Sequence, residues 1–93
     1  MNDKKVKIGV VGVGHLGRWH VQQLKNISTA QLVGFYDADP ERSGAIEKEF
    51  QTKAFNNFED LLLKVDALSI VTPTTTHFDY ASRALRAKKH IFI

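Results

Sequence analysis

The sequence predicts an α/β fold, a parallel β-sheet with helices on both faces. Short apolar, β-branched runs alternate with segments of helical period along the chain. A turn holding Gly12, Gly14 and Gly17 joins the first such run to the first helix. No repeat, low-complexity stretch or linker interrupts the alternation, so the 93 residues read as one domain. A chain of this length hides roughly 60–65% of its unfolded surface, enough for one modest core. Its 43% hydrophobic and 25% charged residues place it among globular rather than disordered chains.

Val6 to Val11 reads as a buried strand bounded by glycine. A helix is expected from about His15 to Asn26, because Gly17, Val21 and Leu24 recur at i, i+4 and i+7 on one face. Gln31 to Tyr36, "QLVGFY", is the second strand. In "DADPER" Asp39 suits a helix N-cap and Pro40 the first helical position, and that helix turns Ile46 and Phe50 inward. "TKAF", residues 52–55, is a short third strand. Phe58 to Lys64 is a brief helix capped by Asn57, and Asp66 to Val71 is the fourth strand. "TPTTT" is a loop, since Pro73 biases Thr72 away from helix. A last helix is expected from His77 to Lys88, with Asp79 near its start and cations near its end, as the helix dipole favours. "HIFI" closes the chain as a fifth strand.

Strands that alternate with helices in this way give a doubly wound, Rossmann-like parallel sheet of order 3-2-1-4-5, counting strands along the chain. The glycine turn then has a physical purpose. Gly12 allows a sharp turn after the first strand, Gly14 lets a diphosphate approach bare backbone, and Gly17 lets the helix pack closely on the strand. The free N–H groups at the start of that helix, from His15 and Leu16 onward, face the phosphates. Asp37 ends the second strand 20 residues after Gly17, since 37 − 17 = 20, where a carboxylate accepts hydrogen bonds from an adenosine ribose. No GK[ST] follows the glycines, so this is not an ATP-type P-loop. Asp37 favours NAD over NADP: beside a 2′-phosphate its charge costs on the order of 1–4 kcal/mol. Ala38 offers no compensating cation; Arg42 could reach back, but is expected on the exposed side of its helix.

The net charge of +3 comes from separated clusters, Lys4, Lys5 and Lys7 at one end and Arg83, Arg86, Lys88 and Lys89 at the other. That distribution reads as solvated surface, not a nucleic-acid face. No cysteine is present, which excludes disulfides, thiolate metal sites and a cysteine nucleophile and fits a cytoplasmic location. The apolar run after the N-terminal lysines is too short and glycine-broken for a signal peptide, and no stretch approaches the roughly 20 apolar residues of a membrane helix.

"VGVGHLGRWHVQQL", "YDADPER" and above all "VTPTTTHFDYASRALRAKKHIFI" resemble the Gfo/Idh/MocA oxidoreductases, with their GxGxxGxxH, DxDPER and TPxxxH…ALxAGKHV segments. The resemblance covers nearly the whole chain. It implies a nicotinamide dinucleotide as cofactor, with Thr72, Pro73 and His77 lining the cofactor cleft toward the nicotinamide. It also implies hydride transfer to or from a sugar, inositol or related polyol. Members of that family continue with an E-K-P motif that carries a catalytic lysine and with a substrate-binding domain. The resemblance therefore makes this chain, residues 1–93, the dinucleotide-binding part of a longer enzyme, without catalytic residues of its own. Where the family has glycine after ALxA, Lys88 stands here, and a left-handed lysine costs roughly 1 kcal/mol more than glycine.

The remaining residues read structurally. His15 and His20 are five apart on a helix and splay, so no metal site is expected. His20 packs or caps, and Trp19 and Tyr80 cover the sheet or meet another subunit. "HIFI", if uncovered, is an apolar edge that invites pairing, so a homo-oligomer is one assembly the sequence allows. Two alternatives stand beside the dehydrogenase: a non-catalytic nucleotide-sensing module of the same fold, and a dihydrodipicolinate-reductase-like enzyme, against which the TPxxxH spacing speaks.

Overall fold

A computed structural model describes residues 5–92; Lys4 of the N-terminal lysine cluster and Ile93 of the closing strand lie outside them. The order of elements is β1 (Val6–Val11), α1 (His15–Leu24), β2 (Ala30–Tyr36), α2 (Pro40–Phe50), α3 (Phe58–Lys64), β3 (Ala67–Ile70), α4 (Thr74–Arg86) and β4 (His90–Phe92). The strands form one parallel sheet in the order β2-β1-β3-β4.

Both faces of the sheet are covered, because alternate strand residues point opposite ways. Val10 joins Val13, Val21, Phe35 and Ile46 in one buried cluster, under α1 and α2. Its neighbour Val11 joins Phe58, Leu61, Leu68, Ile70, Ala81 and Ala84 in another, under α3 and α4. All four residues of β3 are buried, as an interior parallel strand requires. Two ion pairs tie helices together on the outside: Arg18 with Glu49 links α1 to α2, and Arg83 with Glu59 links α4 to α3. No helix among the described residues is long and apolar enough to cross a membrane.

The expected five strands become four, because "TKAF" is a single bridge, Ala54 beside Phe35, on the free edge of β2. Phe35 N–H donates to the Lys53 carbonyl at 3.0 Å, and Phe55 N–H to the Phe35 carbonyl at 2.8 Å. Ala54 N–H points away from β2 and donates to the Glu47 carboxylate at 3.0 Å. The segment is pinned between helix ends, with Gln51 left-handed (φ 51°) after α2 and Asn57 capping α3 through Asp60 N–H at 2.9 Å. The segment therefore lies where the expected order puts its third strand, without room for a ladder.

The last helix begins at Thr74, three residues ahead of the sequence expectation. Proline restricts the residue before it but suits a helix start, and the Pro73 carbonyl accepts both Thr76 N–H and His77 N–H at 2.9 Å. Asp79 is consequently not in the first turn; it pairs with Arg83 one turn on, at 3.3 Å. At the other end Lys88 is left-handed, φ 61°, as the missing glycine implies. Lys88 N–H donates to the Leu85 carbonyl and Lys89 N–H to the Ala84 carbonyl, each at 2.9 Å, a complete Schellman closure.

Candidate cofactor site

The turn after β1 is built as its glycines suggest. Gly12 has φ +91°, and a Cβ there would stand 2.9 Å from the Val71 carbonyl oxygen. Its N–H donates to the Tyr36 carbonyl at 2.8 Å, which ties the turn to the end of β2. A Cβ on Gly17 would stand 1.7 Å from the Gly12 carbonyl oxygen, so α1 rests directly on the turn's backbone. Gly14 differs from both. It occupies the N-cap of α1, and a Cβ there would meet nothing nearer than Arg42 Nη1 at 4.0 Å. No side chain among the described residues caps this helix, so its leading N–H groups remain available to an anion.

Asp37 is turned toward the glycines. One carboxylate oxygen accepts Val13 N–H at 2.8 Å and the other accepts Asp39 N–H at 2.8 Å. The side chain is only 7% exposed, yet it lines the cleft. Three of its roughly four acceptor positions are engaged once Arg42 is counted, leaving room for a hydroxyl donor. Arg42 is exposed, and it also reaches back as the sequence allowed. Its guanidinium stays half exposed, with Nη1 at 3.4 Å from Asp37 Oδ2, because Asp39 caps α2 and brings the first turn over the carboxylate.

These elements enclose a cleft of about 820 Å³ at the carboxyl ends of β1, β2 and β3. Of the residues singled out in the sequence, Gly12, Gly14, Leu16, Asp37, Thr72, Pro73 and His77 line it. Gly17 stands behind it as packing. His15, the first residue of α1, is exposed and faces a separate groove with Leu16, Arg18, Trp19 and Gln22. Thr72 contributes a buried hydroxyl oxygen that has no hydrogen-bond partner among the described residues. The location is where a parallel sheet reverses strand order, since β1 is followed by β2 on one side and β3 lies on its other side.

The cleft also includes residues read otherwise in the sequence. Tyr80, which packs on the core cluster under α3 and α4, also lines it, one helical turn after His77, and Tyr36 lines it next to Asp37. The i, i+3 spacing from His77 was the available signal for Tyr80. Burial, followed by the Tyr36 phenol and the Asp79 and Asp37 carboxylates, raises the Tyr80 phenol above its ordinary pKa. Trp19 remains 55% exposed, edge-on to His20 at 5.5 Å. His20 packs inward, Nδ1 at 3.0 Å from the buried Ser69 hydroxyl. Among the described residues no three His, Asp or Glu side chains gather as a metal-binding group.

The oxidoreductase family with an NAD-binding Rossmann fold matches residues 6–93. UDP-N-acetylglucosamine 3-dehydrogenase of Acidithiobacillus ferrooxidans is 47% identical over 88 residues, 95% of this chain and 28% of that protein. A solved structure of that dehydrogenase superposes with TM-score 0.89 at 45% identity, covering 96% of this chain and 29% of that one. A structure of scyllo-inositol dehydrogenase from Lactobacillus casei with bound NAD(H) and scyllo-inositol gives TM-score 0.84 at 33% identity, covering 96% and 27%. The chain thus spans little more than a quarter of the relatives it matches. From the glycine turn, the carboxylate beside it and a match over nearly its full length, the chain belongs to the Gfo/Idh/MocA oxidoreductase family, whose Rossmann fold binds NAD.

Proposed function

We propose that this chain is the cofactor-holding part of an NAD-dependent dehydrogenase that oxidises a carbinol, or reduces the corresponding carbonyl, on a sugar, nucleotide sugar or cyclic polyol. The cofactor reading rests chiefly on one observation. The only motif glycine facing open space, Gly14, lies beside uncapped helix N–H groups and one residue from Val13, whose N–H holds Asp37. The residues present fit a dinucleotide. Gly12 and Gly14 would hold the diphosphate against bare backbone, with Leu16 at the first turn of α1. Asp37 would accept from the ribose, and the unpartnered Thr72 hydroxyl, with Pro73 and His77, would line the far wall. NAD, when bound, supplies the carbon that takes up or returns hydride; the chain's own residues bind and orient it. The substrate class is supported by the names of relatives, sugar and inositol dehydrogenases, which also do not favour a non-catalytic sensor.

Isothermal titration of the protein with NAD, ADP-ribose and NADP tests this. NAD and ADP-ribose should bind, and NADP roughly fivefold or more weakly, the lower end of the charge cost at Asp37. Absence of NAD binding by folded protein would refute the cofactor reading.

A further inference from the structure

We propose that Tyr80 is an adenine-binding residue whose ring, braced from behind, forms the wall on which the base of the dinucleotide lies. The inference rests on the dinucleotide reading and assigns one part of that ligand to a residue not otherwise accounted for.

The argument begins with position. Asp37 marks the ribose, and a base is one glycosidic bond from its ribose. The aromatic surface at that end of the cleft is Tyr36, adjacent to Asp37, and Tyr80, whose ring centre is 6.3 Å from that of Tyr36 at 68°. Both residues line the cleft. The nearby Ala38 is too small to compete for the space above them.

Tyr80 is also held still. Phe58 of α3 packs 4.9 Å behind it. The Arg83 guanidinium lies 4.6 Å from the Phe58 ring and 5.9 Å from the Tyr80 ring. Arg83 is itself fixed by Asp79 at 3.3 Å and by Glu59. Tyr80 is half-buried, not sunk in the core. An aromatic ring locked by neighbours and bordering an open cleft is preorganised for stacking, so a planar ligand meets little ordering cost. A nucleobase is the part of the dinucleotide that matches such a face next to a ribose-binding carboxylate.

The test compares the native protein with Tyr80→Phe, Tyr80→Leu and Tyr80→Ala, by calorimetry with NAD and ADP-ribose. Emission of 1,N6-etheno-ADP-ribose, which is quenched when its base stacks on an aromatic ring, is followed in parallel. Tyr80→Phe should keep affinity and quenching, because the ring does the work. Tyr80→Leu and Tyr80→Ala should weaken NAD and ADP-ribose alike, by roughly 5- to 100-fold, the range of base–aromatic stacking. Both should lose the quenching. Tyr80→Leu keeps apolar bulk against Phe58, so it answers the question even if Tyr80→Ala fails to fold. A loss for NAD with none for ADP-ribose would put the ring at the nicotinamide and overturn the proposal, as would native quenching in Tyr80→Leu. If the native protein binds neither ligand, the dinucleotide reading itself falls, an outcome no variant can mimic.

Discussion

Alanine at Gly14 and at Gly17, made singly, should break different properties of this protein. At Gly17 the new Cβ would sit 1.7 Å from the Gly12 carbonyl oxygen and 2.7 Å from its carbon. An unstrained C···O contact needs roughly 3.3 Å, so α1 would have to retreat by about 1.5 Å. The obstacle is backbone, which cannot rotate aside, and retreat lifts the buried Val21 off its cluster. The cost belongs at the upper end of overpacking, roughly 2–3 kcal/mol. A domain of this size shifts by about 4–8 °C per kcal/mol, so the melting midpoint should fall on the order of 10–20 °C. At Gly14 the backbone angles (φ −66°, ψ −156°) suit alanine, and the nearest atom is 4.0 Å away. Stability should change by no more than about 0.5 kcal/mol. The methyl would instead occupy the approach of the diphosphate, and NAD affinity should fall by roughly tenfold or more. Circular-dichroism melting and calorimetric titration read the two effects separately. A Gly17→Ala protein that melts like the native one, or a Gly14→Ala protein that binds NAD unchanged, would refute the division of labour.

Three further outcomes follow from the same geometry. Asp37→Asn should remove the charge opposing a 2′-phosphate while leaving Arg42 beside it. The NADP-to-NAD affinity ratio should rise by roughly fivefold or more. Further replacement of Arg42 by Ala should undo most of the gain, and an unchanged ratio in titrations of both variants would count against Asp37 as the selector. Lys88→Gly relieves a left-handed lysine and should stabilise the protein by about 1 kcal/mol, read as a higher midpoint in urea. Stability should also depend on pH through Tyr80. Its folded pKa lies above its ordinary 10.0, so folding is favoured while the phenol is neutral in both states. That advantage is lost as pH rises past about 10, where the unfolded chain ionises first. Tyr80→Phe should blunt the decline in melts taken from pH 9 upward.

The chain's period and punctuation specified most of the architecture. β1 falls on Val6–Val11 as its β-branched run dictates, and Asp39 and Asn57 cap the helices their side chains were suited to cap. These are local matters, decided by residues a few positions apart. The three motif glycines were legible as a group for the same reason. Their separate duties were legible from the spacing too; what only the fold supplied is the obstacle itself, since the oxygen that forbids a Cβ at Gly17 belongs to Gly12, across a turn.

What tertiary structure alone decided involves partners distant in sequence. "TKAF" has a strand's composition, yet two helix ends confine it, so only one bridge forms. Arg42 read as surface that could reach back; α2 folds its first turn over Asp37 and so brings it there. Tyr80 read as sheet cover or subunit contact; α4 laid along β3 packs it on the core beside Tyr36 and Phe58 and so also brings it to the cleft. Periodicity states which face of an element is apolar. It does not state what stands opposite that face, and a binding cleft is made by what stands opposite.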